Sequence, residues 1–196
     1  MAPLYAGPRR TDLEQRVPYF KYDGVGPNAG QFSDAQDVGI PFDCLVDFEN
    51  IWTGWGLLER GLPPLWTWDE AIDKPAARPG KGHKRAFSLR LFFPDGRGVR
   101  ELSSTNQGLF AAFAKIYDNE FEYAPERTKG LIPVVELTDL VSSESPYGTI
   151  IDPVFAIVSW APRPPELTPR GRPPAPTNND KPTLPGRDDL NDSIPF

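Results

Sequence analysis

Between Pro41 and Leu58 apolar and polar side chains alternate. Phe42, Cys44, Val46 and Phe48 are separated by Asp43, Leu45 and Asp47. That is the period of two that turns one face of a β-strand toward a core and the other toward water. Beyond Asn50 the pattern shifts: Ile51, Thr53, Trp55 and Leu57 share a face, Trp52 falls on the other, and Gly54 and Gly56 are candidates for a bulge or sharp bend. A long, bent strand is what a small closed barrel needs. Lys84 to Phe93 repeats the alternation, with Arg85, Phe87, Leu89, Leu91 and Phe93 on one face and Lys84, Ala86, Ser88, Arg90 and Phe92 on the other. Pro94-Asp95-Gly96 then turns the chain into a shorter strand, Gly98 to Leu102.

The period lengthens after Ser103-Ser-Thr-Asn-Gln107, a cluster of candidate helix N-caps. Leu109, Phe110, Phe113, Ile116 and Tyr117 recur at spacings of three and four, which predicts a core-covering helix to about Asn119. Ile132–Val141 and Thr149–Trp160 read as two further strands, and the aromatic stretch Val17–Gly24 as a short first one. Residues 24–39 and 60–82 read as connections; Asp73–Gly82 has no apolar anchor and reads as mobile. The order is strand, long strand, strand, helix, strand, strand. This predicts a mainly β protein: an OB-fold-like five-stranded barrel with one helix between strands 3 and 4, filling residues 1–160 as one domain.

From Ala161 the composition changes. Ten prolines fall within residues 162–196, with too few apolar residues for a core. Residues 161–196 therefore read as a disordered, partly extended linker that ends in an acidic tip, Asp188, Asp189 and Asp192 followed by Ile194-Pro195-Phe196. Phe196 can enter an apolar pocket while a carboxylate meets an Arg or Lys at its rim, and Pro195 limits the freedom lost on docking. The tip is thus a candidate handle for a partner protein.

The formal net charge of −6 argues against a uniformly basic nucleic-acid binder, but the charge is unevenly placed. Lys74, Arg78, Lys81, Lys84, Arg85, Arg90, Arg97 and Arg100 are opposed within their stretch only by Asp95, so that stretch carries +7 and the rest of the chain −13. Single-strand binders combine cations for phosphates with flat side chains on which bases stack. Trp52, Trp55, Trp66, Trp68, Phe92, Phe20 and Tyr22 are the flat candidates; Trp55 and Trp160 are better assigned to packing. The chosen DNA-binding set is Lys81, Lys84, Arg85, Arg90, Phe92 and Trp52, with Phe92 sharing a strand face with Lys84 and Arg90.

Catalysis has little support. His83 is the only histidine and Cys44 the only cysteine, so multi-His or multi-Cys metal sites and internal disulfides are excluded. Cys44 lies on the apolar face of its strand. No Walker A loop, no apolar run of 18 residues and no secretory h-region is present. The expectation is a non-enzymatic, cytoplasmic protein without cofactor or membrane partner, and with homo-oligomerisation left open.

The ending Asp188, Asp189, Asp192, Ile194, Pro195, Phe196 resembles the C-terminal tip of bacterial single-stranded DNA-binding proteins, which is acidic and ends Ile-Pro-Phe. The likeness covers that tip alone, with Leu190, Asn191 and Ser193 interrupting the acidic run. No residue-level match extends into the body, which favours a divergent phage or mobile-element form. The resemblance implies coating of single-stranded DNA in replication, recombination or repair, with the tip recruiting replication, repair or nuclease proteins and competing with DNA for the basic groove. Two rival readings stay open. One is a metal-dependent nuclease using Asp47, Glu49, Glu136, Asp139 and Asp152; the other is an adaptor whose body binds no DNA.

Overall fold

The computed structural model describes residues 17–26, 28–34, 37–59, 61–146 and 148–171, except the side chains of Asp37, Val38 and Ser145. The strands are β1 (Lys21–Asp23), β2 (Gln31–Ser33), β3 (Asp37–Val38), β4 (Asp43–Val46), β5 (Trp52–Leu57), β6 (Leu65–Trp68), β7 (Lys84–Phe93) and β8 (Gly98–Ser104). Helix α1 (Gln107–Ile116) follows, then β9 (Leu131–Ser145) and β10 (Gly148–Pro162). The protein is mainly β. β1, β2 and β3 form a small sheet; the other strands form one sheet in the order β10-β9-β4-β7-β5-β6, with β8 joined to β7.

A strand has two hydrogen-bonding edges. β8 occupies one edge of β7 from Phe87 to Phe93. β4 (Leu45↔Phe92, Val46↔Leu91) and β5 (Trp52↔Ser88 through Gly56↔Lys84) must therefore share the other. They are the two halves of the expected bent strand, broken by a 3-10 turn at Phe48–Asn50. Past the break the outer edge of β4 pairs with β9 and that of β5 with β6.

The large sheet has seven strands and is not closed. No ladder joins β8 to β10 among the described residues. The gap is crossed by the N-terminal segment: Tyr19 bridges Glu101 of β8 and Val25 bridges Ile150 of β10. The Phe20 amide donates to the Glu101 carbonyl at 2.8 Å, and the Ile151 amide to that of Gly24 at 3.1 Å. Two stretches read as connections hold strands, β2 and β3 in one and β6 in the other. Each is too short to display a period.

One face of the large sheet carries the main core. Phe42, Cys44, Val46 and Phe48 meet Phe87, Leu89, Leu91 and Phe93, covered by Phe20, Tyr22 and Phe32 and by Leu109, Phe113 and Ile116 of α1. Asn106 caps α1, its Oδ1 accepting from the Leu109 amide at 2.8 Å. The helix runs on into a π turn, Tyr117–Phe121, that delivers Phe121 to the same core. The first turn of α1 lies close against β10: a Cβ on Gly108 would stand 1.7 Å from Asp152 Oδ1. No helix among the described residues is long and apolar enough to cross a membrane.

The packed body does not stop at Trp160. Leu167 is fully buried on the opposite face, in a second cluster with Leu45, Ile132, Phe92, Val99, Val134 and Ala161. Residues 163–171, read as tether, form a strap across the sheet. A single leucine in a proline-rich run has no period to announce it.

Candidate nucleic-acid interface

The alternation of β7 is realised as read: its even-numbered residues point away from the main core. On that outer face lie Lys84, Ala86, Ser88, Arg90 and Phe92. Register adds Trp52, Gly54 and Gly56 of β5, and then Trp68 and Trp66 of β6, opposite Gly54 and Gly56. Directly paired residues share a face. Trp66 and Trp68 stack at 5.4 Å with 13° between ring planes, and Trp52 meets Trp68 at 5.7 Å and 59°. The three indoles, all half-buried, form a row.

The two glycines make the row possible. A Cβ on Gly56 would come within 2.5 Å of the Trp66 ring and 2.6 Å of Thr105 Cγ2; one on Gly54 would meet the Thr67 carbonyl oxygen at 2.3 Å. They do not mark a bulge, because the pairing of β5 runs without a shift from Trp52 to Gly56. They let β6 and its tryptophans lie close on β5.

The strap covers the remainder of this face. Arg163 makes a fork to Asp47, both contacts 2.8 Å, and reaches Glu49 at 3.3 Å. Asp47 is wholly buried at the β4–β5 break and also accepts from the Asn50 amide at 2.9 and 3.0 Å. The carboxylate hydrogen-bonded to Arg163 holds that guanidinium above its ordinary value against the opposing effect of burial. Leu167 covers Phe92, and the Thr168 carbonyl accepts from Arg90 at 3.2 Å. Arg170 lies over Trp52 at 4.3 Å and donates to Ser88 Oγ (2.9 Å), to the Ser88 carbonyl (2.6 Å) and to the Asn50 carbonyl (3.2 Å).

The basic stretch divides. Lys74, Arg85, Arg97 and Arg100 pair with Glu70, Asp69, Asp95 and Asp34. Arg78, Lys81, Lys84 and Arg90 have no carboxylate within ion-pair distance among the described residues. Arg85 points to the inner face, away from Lys84, where it joins buried Asp69 (2.7 Å) and stacks 5.2 Å from Trp55. Burial raises the Asp69 carboxyl, but hydrogen bonds from Arg85, Thr53 and the Ala76 amide outweigh it and hold the group below its ordinary value. The same contacts tie down 73–82, which has anchors after all: Ala76 donates to Asp69 at 2.8 Å and accepts from Trp55 Nε1 at 2.8 Å, and Arg78 covers Trp55. Lys84 opens β7 in register with Gly56 and so in line with Trp66, and it and Lys81 in the preceding loop are both exposed.

Of the six DNA-binding candidates, Lys84, Arg90, Phe92 and Trp52 share the outer face. Lys81 is an exposed residue of the loop before β7, and Arg85 lies on the opposite face. Phe20 and Tyr22 are core residues, and burial pushes the Cys44 thiol up to about 12. Trp55 is clamped by the loop and Trp160 packs on Phe121. The tip residues Asp188, Asp189, Asp192, Ile194, Pro195 and Phe196 lie outside the described residues. Protein-family models, curated proteins and solved structures offer no match to this chain. A concavity of about 250 Å³ between α1 and β5 is largely apolar, with Ile51, Ile72, Phe87, Phe110, Phe113 and Tyr117 in its wall and no cation. Arg163, Leu167 and Arg170 were not legible in the sequence, since most of their partners lie on strands and turns far away along the chain, Asp47 and Ser88 among them.

Proposed function

We propose that this protein binds single-stranded DNA with little sequence preference, using the outer face of β5, β6 and β7. The observation that carries the proposal is the row Trp52–Trp68–Trp66 in register with Lys84 on one sheet face. Stacking on such rings is worth about 1–3 kcal/mol per base and tolerates any base. Nearby unpaired cations would hold the phosphates between stacked bases, as an apolar or acidic rim would not. Oligonucleotide-binding barrels use this kind of sheet face, and the connectivity supports the likeness. The bent β4–β5 pairs with both β7 and β9, α1 falls between β8 and β9, and the N-terminal segment spans the gap between β8 and β10. In that correspondence the first barrel strand is β4–β5 rather than Val17–Gly24. The acidic tip would recruit a replication or repair protein to the coated strand.

A metal-dependent nuclease has less behind it. Asp47 and Glu49 are bound by Arg163, and no cluster of three or more His, Cys, Asp or Glu is poised for a metal among the described residues. The test is tryptophan fluorescence during titration with oligothymidine at several salt concentrations, full-length protein beside a form lacking Asp188–Phe196. Saturable quenching with a salt slope of about −2 to −3, as three or four phosphate contacts on a single strand imply, is the expected result. Absence of binding by both forms at low salt would leave the adaptor reading in front.

A further inference from the structure

The strap lies on the face assigned to the strand, and its contacts are chemically those a strand would make. The flat guanidinium of Arg170 covers Trp52 at 4.3 Å, the place where a base would stack. The Thr168 carbonyl oxygen accepts from Arg90 at 3.2 Å, as a phosphate oxygen would. Leu167 fills the apolar patch over Phe92 that a second base could cover.

The two ends of the strap are held unequally. At the start, the Arg163–Asp47 fork is fully hydrogen-bonded and Leu167 is sealed in its cluster. At the end, the Arg170 side chain is only 3% exposed, its ion pair to Glu101 is long at 3.7 Å, and its Nε is buried without a partner. The Nε of Arg90 is also buried without a partner. Burial and the neighbouring Arg90 charge depress Arg170 to about 10, against the pull of Glu101. A buried N–H left unsatisfied destabilises its segment. Arg170 is held by its three hydrogen bonds to Ser88 and Asn50 and by Trp52, but this end also carries the strap's unsatisfied N–H and its long ion pair, so it is where a competing strand has an unmet donor to satisfy.

The geometry points to a displaceable stand-in: residues 168–171 occupy the inner part of the nucleic-acid face, and a single strand lifts them while Arg163 and Leu167 stay anchored. This rests on the single-strand reading above. It differs from competition by the acidic tip, because the covering element is basic and acts by shape and stacking, not by charge mimicry. The half-buried Trp68–Trp66 pair, which none of these strap contacts reaches, would be engaged first, with Trp52 and Arg90 following as the strap yields.

The experiment compares full-length wild type with Arg170→Ala, titrated with oligothymidine, and follows hydrogen exchange of residues 167–171 with and without saturating oligonucleotide. Removing a cation from a DNA-binding face ordinarily weakens binding. Here Arg170→Ala is expected to bind about three- to tenfold tighter, since a site covered about 90% of the time loses tenfold in apparent affinity. In wild type, exchange of 168–171 should rise on saturation. Binding by wild type with no change in that exchange would overturn the proposal and leave the single-strand reading standing, as would equal or weaker binding by Arg170→Ala. Absence of binding by either protein at low salt would overturn both.

Discussion

The Arg163–Asp47 pair permits a sharp test of how the strap holds. Arg163→Met keeps most of the side chain's apolar stem and removes its charge. Breaking a buried pair by deleting one partner costs about 3–5 kcal/mol, because the other charge stays buried and uncompensated. Two features reduce that here. The Asn50 amide still donates to both Asp47 oxygens, and Arg163 is already 21% exposed, so less contact is lost. The expected loss is about 2–3 kcal/mol, which moves a urea midpoint by about 0.7–3 M for a slope of about 1–3 kcal/mol/M. The burial is unequal, and so should be the effects: Asp47→Asn alone should cost less, since the freed Arg163 can regain water. The double variant Asp47→Asn/Arg163→Met should recover part of what Arg163→Met loses. Loss below about 0.5 kcal/mol for Arg163→Met, or no recovery in the double variant, would refute the view that a buried carboxylate depends on the strap.

Trp66→Ala should weaken oligothymidine binding by about 1–3 kcal/mol, read by titration, with little change in thermal midpoint, because Trp66 is at the edge of the row. Gly108→Ala should destabilise the protein in urea unfolding although alanine normally favours a helix over glycine by about 1 kcal/mol, because its Cβ would overlap the Asp152 carboxylate. Stability against pH should respond to Asp69, whose carboxyl sits below its ordinary value when folded. Such a group stabilises above about pH 4 and its contribution fades as pH falls through the depressed value. Asp69→Asn should thus be less stable than wild type at pH 7, and the gap should narrow below pH 4 in denaturation curves taken across that range.

Strong periodicity made several elements legible. Lys84–Phe93 carries its alternation over a whole strand, and the bounds and faces of β7 are as read. The stripe Leu109–Phe113–Ile116 and the cap at Asn106 place α1. Phe42, Cys44, Val46 and Phe48 place the inner face of the bent strand, since burial of alternate side chains is a local property of an extended chain. Placing Lys84, Arg90 and Phe92 on one strand face followed from the same arithmetic; register alone added Trp52 to it.

Register across strands is a tertiary matter, and it decided the rest. Only pairing with β5 brings Trp66 and Trp68 into line with Trp52 and gives Gly54 and Gly56 their purpose. Only the position of Asp69 shows that Arg85 is spoken for and that the loop bearing Lys81 is anchored. The mainly β character and the division between a patterned body and a proline-rich end were determined by the sequence itself, because alternation and composition are summed along the chain. That residues 163–171 belong to the body, and lie on the face that looked free for a ligand, was decided by the tertiary structure alone. One buried leucine and two arginines leave no periodic trace; their energy comes from Asp47, Phe92 and Trp52, which reach them only when the sheet has formed.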